Sequence, residues 1–417
     1  MPRLLLLLPT RTYRAHDFME AAERLGVEVV VGSERKQALA DLVPGKTLAL
    51  DFYSPKAATR TIVAFAQDYP LDGVLAVDDD TTILGAMASE ALGLPHNPVS
   101  AVSATRNKHR LRLLLSQAGL LSPPFSLFDI DDDPLQAAQQ VPYPCVVKPL
   151  CLSASRGVMR VNHPEQFASA FQRLVTLLQS PDVVERRDPL ARQILVEGYI
   201  PGVEIALEGL LVKGELTVLA LFDKPDPLDG PYFEETLYIT PSRLPEGVQQ
   251  SIAQCTARAA RAIGLEEGPV HAELRVNDHG AWLIEMAARS IGGLCSRTLR
   301  FGTGMSLEEV ILLQAMGADV GRYNRDRLAA GVMMLPIPRH GILRGVHGQQ
   351  AAVQVPNIES LDITMPLGQE VIPLPEGAQY LGFLFARAET PERVEAALRE
   401  AHQCLSFVIE PMHGARE

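Results

Sequence analysis

Cysteine is scarce and scattered in this 417-residue chain: Cys145, Cys151, Cys255, Cys295 and Cys404 form no CxxC pair. Neither a disulfide framework nor a zinc site is therefore expected, and a reducing, cytoplasmic setting fits. A basic excess is missing as well. The formal net charge of −12 disfavours a general nucleic-acid or anionic-membrane surface, while leaving local Lys and Arg free for phosphates. No stretch reaches the ~18 consecutive apolar residues of a membrane span. The leucine run at residues 4–8, after Arg3, is too short for the core of a signal peptide and is cut by Pro9 and Arg11, so it predicts a buried strand.

What is present is an ordinary globular composition, 47% hydrophobic and 21% charged. The length exceeds one compact core at about 150 residues per domain, and three domains are expected. Over residues 1–105, short apolar runs at 4–8, 27–31 and 73–77 alternate with helical patterns at 15–25, 58–68 and 82–92. This alternation predicts a doubly wound parallel sheet, with loops at 10–13 and 78–81 placed where such sheets hold ligands. The run Asp78-Asp79-Asp80 reads equally as a solvated helix N-terminus, where carboxylates favour the dipole. Residues 106–324 read as an α+β body with an amphipathic helix at 107–118 and alternating, antiparallel strand patterns at 204–212, 216–222, 271–276 and 282–286. Residues 325–417 change texture to short β-like runs rich in Gly and Pro, then a helix opened by Thr390 and Pro391. They predict a small β-rich C-terminal domain.

Two glutamates stand out. Glu273 and Glu285 each interrupt a short apolar strand, where an inward carboxylate is costly unless paired or metal-bound. Side by side, the two would offer hard oxygen ligands to Mg²⁺ held against nucleotide phosphates, although two outward-facing strand glutamates would look the same. Arg289 follows Glu285 by four residues and precedes Gly292 and Gly293, a setting for holding a carboxylate or an oxyanion. Lys148 closes an apolar strand, and the loop Ser153-Ala154-Ser155-Arg156-Gly157-Val158 after it suits phosphate wrapping or is an ordinary turn. His271 shares a strand face with Glu273, as either a packed histidine or a catalytic one. Lys224 and Asp79 are further candidates, Asp79 as the partner of an amino group.

In combination these pieces resemble the ATP-grasp superfamily. The resemblance rests on Asn107-Lys108, Val147-Lys148-Pro149, the 153–158 loop, Glu197-Gly198-Tyr199-Ile200, Glu204, Glu273 and the run from Glu285 to Arg289. The ending Ala287-Ala288-Arg289-Ser290-Ile291-Gly292-Gly293 is similar to the L-amino-acid ligase branch. The resemblance implies an ATP-grasp fold with a mobile lid at about 145–200. It implies a carboxylate-amine ligase that forms an amide between small substrates through an acyl phosphate, releasing ADP. Lys108 and Lys148 would contact ATP phosphates and Ser153, Ser155, Gly157 and Val158 would wrap them. Glu197, Tyr199 and Ile200 would line the adenine pocket, the backbone of the last two reading the base edge, and Glu204 would hold the ribose. Glu273 and Glu285 would bind Mg²⁺, or Mn²⁺ in its place, and Arg289 with Gly292 and Gly293 would hold the reacting carboxylate.

Two departures mark this chain. Ala287 stands where many superfamily members carry a metal-binding Asn, and Tyr238 stands three residues after Glu235 where relatives of the ligase branch carry His. Tyrosine, with a reference pKa of about 10, is a poor base at neutral pH, so substrate choice is expected to differ. A homodimer is a common family arrangement. Alternatives with the same fold are a bicarbonate-using carboxylase of the biotin-carboxylase or carbamoyl-phosphate type and a non-catalytic ATP-binding regulator.

Overall fold

The computed structural model describes residues 1–35, 45–320 and 324–412. Strands β1 (Arg3–Leu7), β2 (Glu28–Ser33), β3 (Thr47–Ala49) and β4 (Gly73–Ala76) form a parallel sheet in the order β3-β2-β1-β4. Leu4 and Leu6 pack with Phe18 and Ile311 on one face, Leu5 and Leu7 with Ile62 and Leu84 on the other. A strand covered on both faces needs an apolar residue at every position, and this is the physical reason for the unbroken leucine run. The expected doubly wound arrangement is therefore present.

A second, antiparallel sheet is built from β5 (Phe125–Asp129), β6 (Cys145–Pro149), β7 (Met159–Val161) and β8 (Gln193–Gly198), in the order β5-β8-β6-β7. The helix Pro164–Leu178 covers it with Phe167, Phe171 and Leu174. This sheet takes in residues 125–129, outside the 145–200 span read from the sequence.

The largest sheet carries β9 (Val203–Val212), β10 (Glu215–Asp223), β11 (Leu237–Thr240), β12 (Gly268–Asn277) and β13 (Gly280–Ala287). The C-terminal segment supplies β14 (Ala329–Leu335), β15 (Gly341–His347), β16 (Ile358–Ile363), β17 (Glu370–Val371), β18 (Gly382–Ala388) and β19 (Ser406–Glu410). Three of these, β14, β18 and β16, continue the large sheet, whose order is β13-β12-β9-β10-β11-β14-β18-β16. Only β17-β15-β19 form a sheet of their own. The β-rich C-terminal segment is thus fused to the central body edge to edge. One apolar cluster joins all three parts, with Leu4 and Phe18, Phe222 and Tyr238, and Phe383 and Phe385. Near the C-terminus the helix Pro391–Gln403 begins as its sequence predicts: Thr390 Oγ1 accepts from Arg393 N at 3.4 Å, and Pro391 opens the first turn. Among the described residues no helix is long and apolar enough to cross a membrane.

Candidate active site

Alternation along β12 places His271, Glu273 and Arg275 on one face. The register with β9 sets them opposite Glu208, Ala206 and Glu204 respectively. Two of the three are satisfied across the strand: His271 Nδ1 lies 3.1 Å from Glu208 Oε2, and Arg275 Nε donates to Glu204 Oε2 at 2.9 Å. Ala206 offers Glu273 nothing. On the other side of β12, Glu273 stands in register with Glu285 of β13. Directly opposed residues of an antiparallel pair share a face, and both glutamates line a cavity of about 410 Å³.

The cavity wall also includes Lys108, Lys148, Ser153, Ser155, Val158, Glu197, Tyr199, Ile200, Glu204, Glu235, Tyr238, Asp79, Arg289, Gly292 and Gly293. Of the residues singled out from sequence, Asn107, Arg156, Gly157 and Lys224 are not on that wall, and Gly157 is the one glycine of the loop. Gly157 sits inside the loop with φ +76°, and an added Cβ would meet Leu174 Cδ1 at 2.9 Å.

The two lysines are positioned by different elements. Lys108 opens the helix Lys108–Gln117, capped by Asn107, and its Nζ donates to Leu152 O at 2.9 Å while lying 3.8 Å from Glu285 Oε1. Lys148 Nζ lies 2.6 Å from Glu197 Oε2. Glu197 also accepts from Arg112 Nε at 2.6 Å, and Arg112 reaches the carbonyls of Leu283, at 3.2 Å, and Ile284. Burial works against the Glu197 carboxylate, but Arg112 and Lys148 outweigh it and hold its pKa below the usual value. Arg112 was not anticipated. It lies four residues after Lys108, on the same helix face, and that spacing was the available signal.

Two expectations about the Tyr199–Ile200 backbone meet competition. Tyr199 N already donates to Pro144 O at 3.0 Å, and Ile200 O accepts from Arg275 Nη1 at 3.0 Å. A base docking here would have to share the Ile200 carbonyl or use the Tyr199 carbonyl.

Glu204, Glu235 and Glu273 each offer an oxygen within 4.8 Å of the others, a spacing open to a metal ion. Lys224 occupies that position: its Nζ bonds to Glu204 Oε1 at 2.9 Å and to Glu235 Oε1, and lies 3.6 Å from Glu273 Oε1. Burial opposes the ammonium, but the three carboxylates outweigh it and keep Lys224 protonated. Glu235 is pushed up by burial and by Glu273, against the pull of Lys224. Tyr238 is buried beside them, its phenol driven well above its ordinary value by desolvation, and it has no use as a base. His271 is held protonated, with a pKa of about 9: burial pulls it down, and hydrogen bonds to Glu208 and Glu273 more than compensate. It is thus a packed, paired histidine.

At the far end, Arg289 Nη2 donates to Asp79 Oδ2 at 2.7 Å and Nη1 to Ser290 O at 2.8 Å. Asp79 begins the helix Asp79–Leu92, so the helix-start reading of the Asp run is correct. Solvation is not: only 12% of its side chain is exposed, and Arg106 Nη1 also lies 3.4 Å away. Two further residues secure the Arg289 turn. Arg14 Nη1 donates to Ser290 Oγ at 2.8 Å, and Ile291 N donates to Glu208 Oε2 at 3.0 Å.

Residues 141–298 match the model of the ATP-grasp domain and residues 19–96 that of the ATP-grasp N-terminal domain. This is an ATP-grasp protein. Its residues 333–410 match the L-amino acid ligase C-terminal domain 2. The solved L-amino acid ligase from Bacillus licheniformis superposes with a TM-score of 0.81 at 26% identity, over 98% of this chain and 99% of that one. Among curated relatives, an alanine–anticapsin ligase of Bacillus subtilis is 29% identical over 258 residues, 58% of this chain and 54% of the relative. Carnosine synthase 1 of Gallus gallus is 29% identical over 294 residues, 68% of this chain and 31% of the relative. The ATP-grasp chain thus spans about half, or less, of the length of these two curated relatives.

In this ATP-grasp cavity the residues missed by sequence reasoning come chiefly from the two ends of the chain. Arg14 is the neighbour of the loop at 10–13 expected to approach a ligand, and Tyr380, Ala378 and Met334 arrive from the C-terminal segment. No local pattern marks these last three.

Proposed function

We propose that the protein is an ATP-dependent carboxylate-amine ligase that joins two small substrates, at least one an amino acid, through an acyl phosphate. The observation that carries this reading is one continuous cavity running from Lys108 and Lys148, past Glu273 and Glu285, to Arg289, Gly292 and Gly293. The names of the relatives, ligases and a synthase, point the same way.

In this reading Lys108, Lys148 and the loop at 153–158 bind the ATP phosphates, and Arg289 orients the acid so that its carboxylate oxygen faces the γ-phosphorus. Attack forms a carboxyl–phosphate bond, breaks the γ-P–O bond and releases ADP. An amine then attacks the carbonyl carbon, phosphate leaves, and the oxyanion of the tetrahedral intermediate rests against Arg289 and backbone N–H groups of the glycine turn. Positioning supplies most of the acceleration. Glu273 and Glu285 fit Mg²⁺, since they are opposed hard oxygen donors on one face; bound there, the ion would neutralise phosphate charge. Ala287, on the same wall, adds no ligand. Glu204 retains lone pairs for ribose hydroxyls beyond those given to Lys224 and Arg275.

The test is to offer amino acids singly and in pairs with MgATP and identify the nucleotide product. ADP with phosphate, dependent on a pair, supports the reading. AMP with pyrophosphate contradicts it, and dependence on bicarbonate alone points to a carboxylase.

A further inference from the structure

The loop at 153–158 is fastened from outside its own sheet. Gly157 N donates to Pro375 O at 2.8 Å, and Arg156 Nε donates to Glu376 O at 2.7 Å. Arg173, on the helix behind the loop, grips both oxygens of the Glu376 carboxylate, Nη2 to Oε2 at 2.9 Å, and donates from Nη1 to Tyr232 Oη at 2.6 Å. Four residues beyond Glu376, Tyr380 stands on the cavity wall, and Ala378 lies there too. A single short segment of the C-terminal part therefore touches the loop on one side and the cavity on the other.

We propose that the segment 372–380 is a latch for the loop at 153–158, and that Glu376 is a positioning residue that acts on bound nucleotide through Arg156 and Arg173. The inference rests on the reading of that loop as the phosphate-wrapping one. Pro375 O accepts from the Gly157 backbone and Glu376 O from the neighbouring Arg156 side chain, so moving the segment shifts the loop through one backbone and one side-chain contact. A substrate packed against Tyr380 and Ala378 steadies the segment, and the steadied segment holds the loop over the phosphates. The coupling is reciprocal: nucleotide that orders the loop tightens the substrate side of the cavity by the same factor. A latch of this kind keeps water from the activated acid until the amine partner is seated.

The test uses full-length protein and three variants, Glu376→Arg, Arg173→Glu and the double exchange, all at surface positions where folding is tolerant. Hydrogen exchange of 153–158 is measured with and without MgADP, together with KM for ATP and the ratio of ADP to amide formed. Each single variant is expected to speed exchange at 153–158 and leave the buried strand β1 unchanged. KM for ATP should rise about three- to fivefold, the scale of a bidentate surface ion pair, and more ADP should form per amide. The double exchange should reverse these effects. Unchanged exchange at 153–158 in both single variants overturns the latch. Absence of MgADP protection at 153–158 in the unaltered protein overturns instead the phosphate-loop reading beneath it.

Discussion

Asp79 Oδ2 and Arg289 Nη2, 210 residues apart in the chain, meet at 2.7 Å on the cavity wall. The pair ties the first helix turn after β4 to the segment that follows the β13 glutamate, and so sets the direction of the guanidinium proposed to hold the acid. Burial alone would raise the Asp79 pKa; Arg289 and Arg106 outweigh it and depress the value strongly. A depressed carboxylate contributes stability above its unfolded pKa, about 3.9, and loses it as pH falls from there toward the folded value. Asp79→Asn should cost about 3 kcal/mol at pH 7, the lower end for breaking a buried pair. Melting of both proteins across pH 7 to pH 3 checks the sign: the gap between them should narrow below pH ~4. A gap that widens with acid would contradict the assignment.

Lys224 fills a position that three carboxylates would otherwise offer to a cation. Lys224→Met should destabilise the fold, because Glu204, Glu235 and Glu273 are left facing one another. It should also create affinity for Mn²⁺ in the absence of nucleotide, measurable by calorimetry against the unaltered protein. Equal Mn²⁺ binding by the two proteins would show that the ammonium does not block the site.

Arg112 holds Glu197, and Glu197 holds Lys148. Replacing Arg112 with Met strands a buried carboxylate on one partner, so a loss of about 3 kcal/mol or more in urea unfolding is expected. KM for ATP should rise with it. Arg192→Ala, which breaks an exposed pair with Asp129 and Asp131, should leave the urea midpoint where it is.

These three clusters also mark what the sequence made legible. The leucine run and the period-2 patterns of β9, β12 and β13 follow from burial on one or both faces, and they located Glu273 and Glu285 correctly on a shared wall. Arg112 was readable from its i+4 spacing to Lys108, and Arg275 from its alternation with Glu273. Tyr380, Met334 and Glu376 were not readable. Their positions depend on β14, β18 and β16 pairing onto the edge of the large sheet, and a strand's own pattern says which face is buried but not which strand lies beside it. The engagement of Tyr199 N with Pro144 O was hidden for the same reason, since it is a backbone contact between segments distant in sequence.

Glu285 carries the metal part of the reading. It is the more accessible of the two opposed glutamates, with 33% of its side chain exposed against 22% for Glu273. Glu285→Gln keeps the shape and halves the donor charge of the pair. Turnover at saturating ATP should fall at least a hundredfold, and the Mg²⁺ concentration for half-maximal rate should rise. Near-normal activity at low Mg²⁺ would remove Glu285 from the metal site.

The central claim is that the acid is activated as an acyl phosphate, and oxygen tracing tests it most directly. With an accepted amino acid labelled with ¹⁸O in its carboxylate, ATP and the partner amine, the attacking oxygen stays on phosphorus when the amine displaces phosphate. The account predicts one ¹⁸O in the inorganic phosphate per amide formed, with unlabelled ADP. Unlabelled phosphate, or label recovered in AMP, would contradict it.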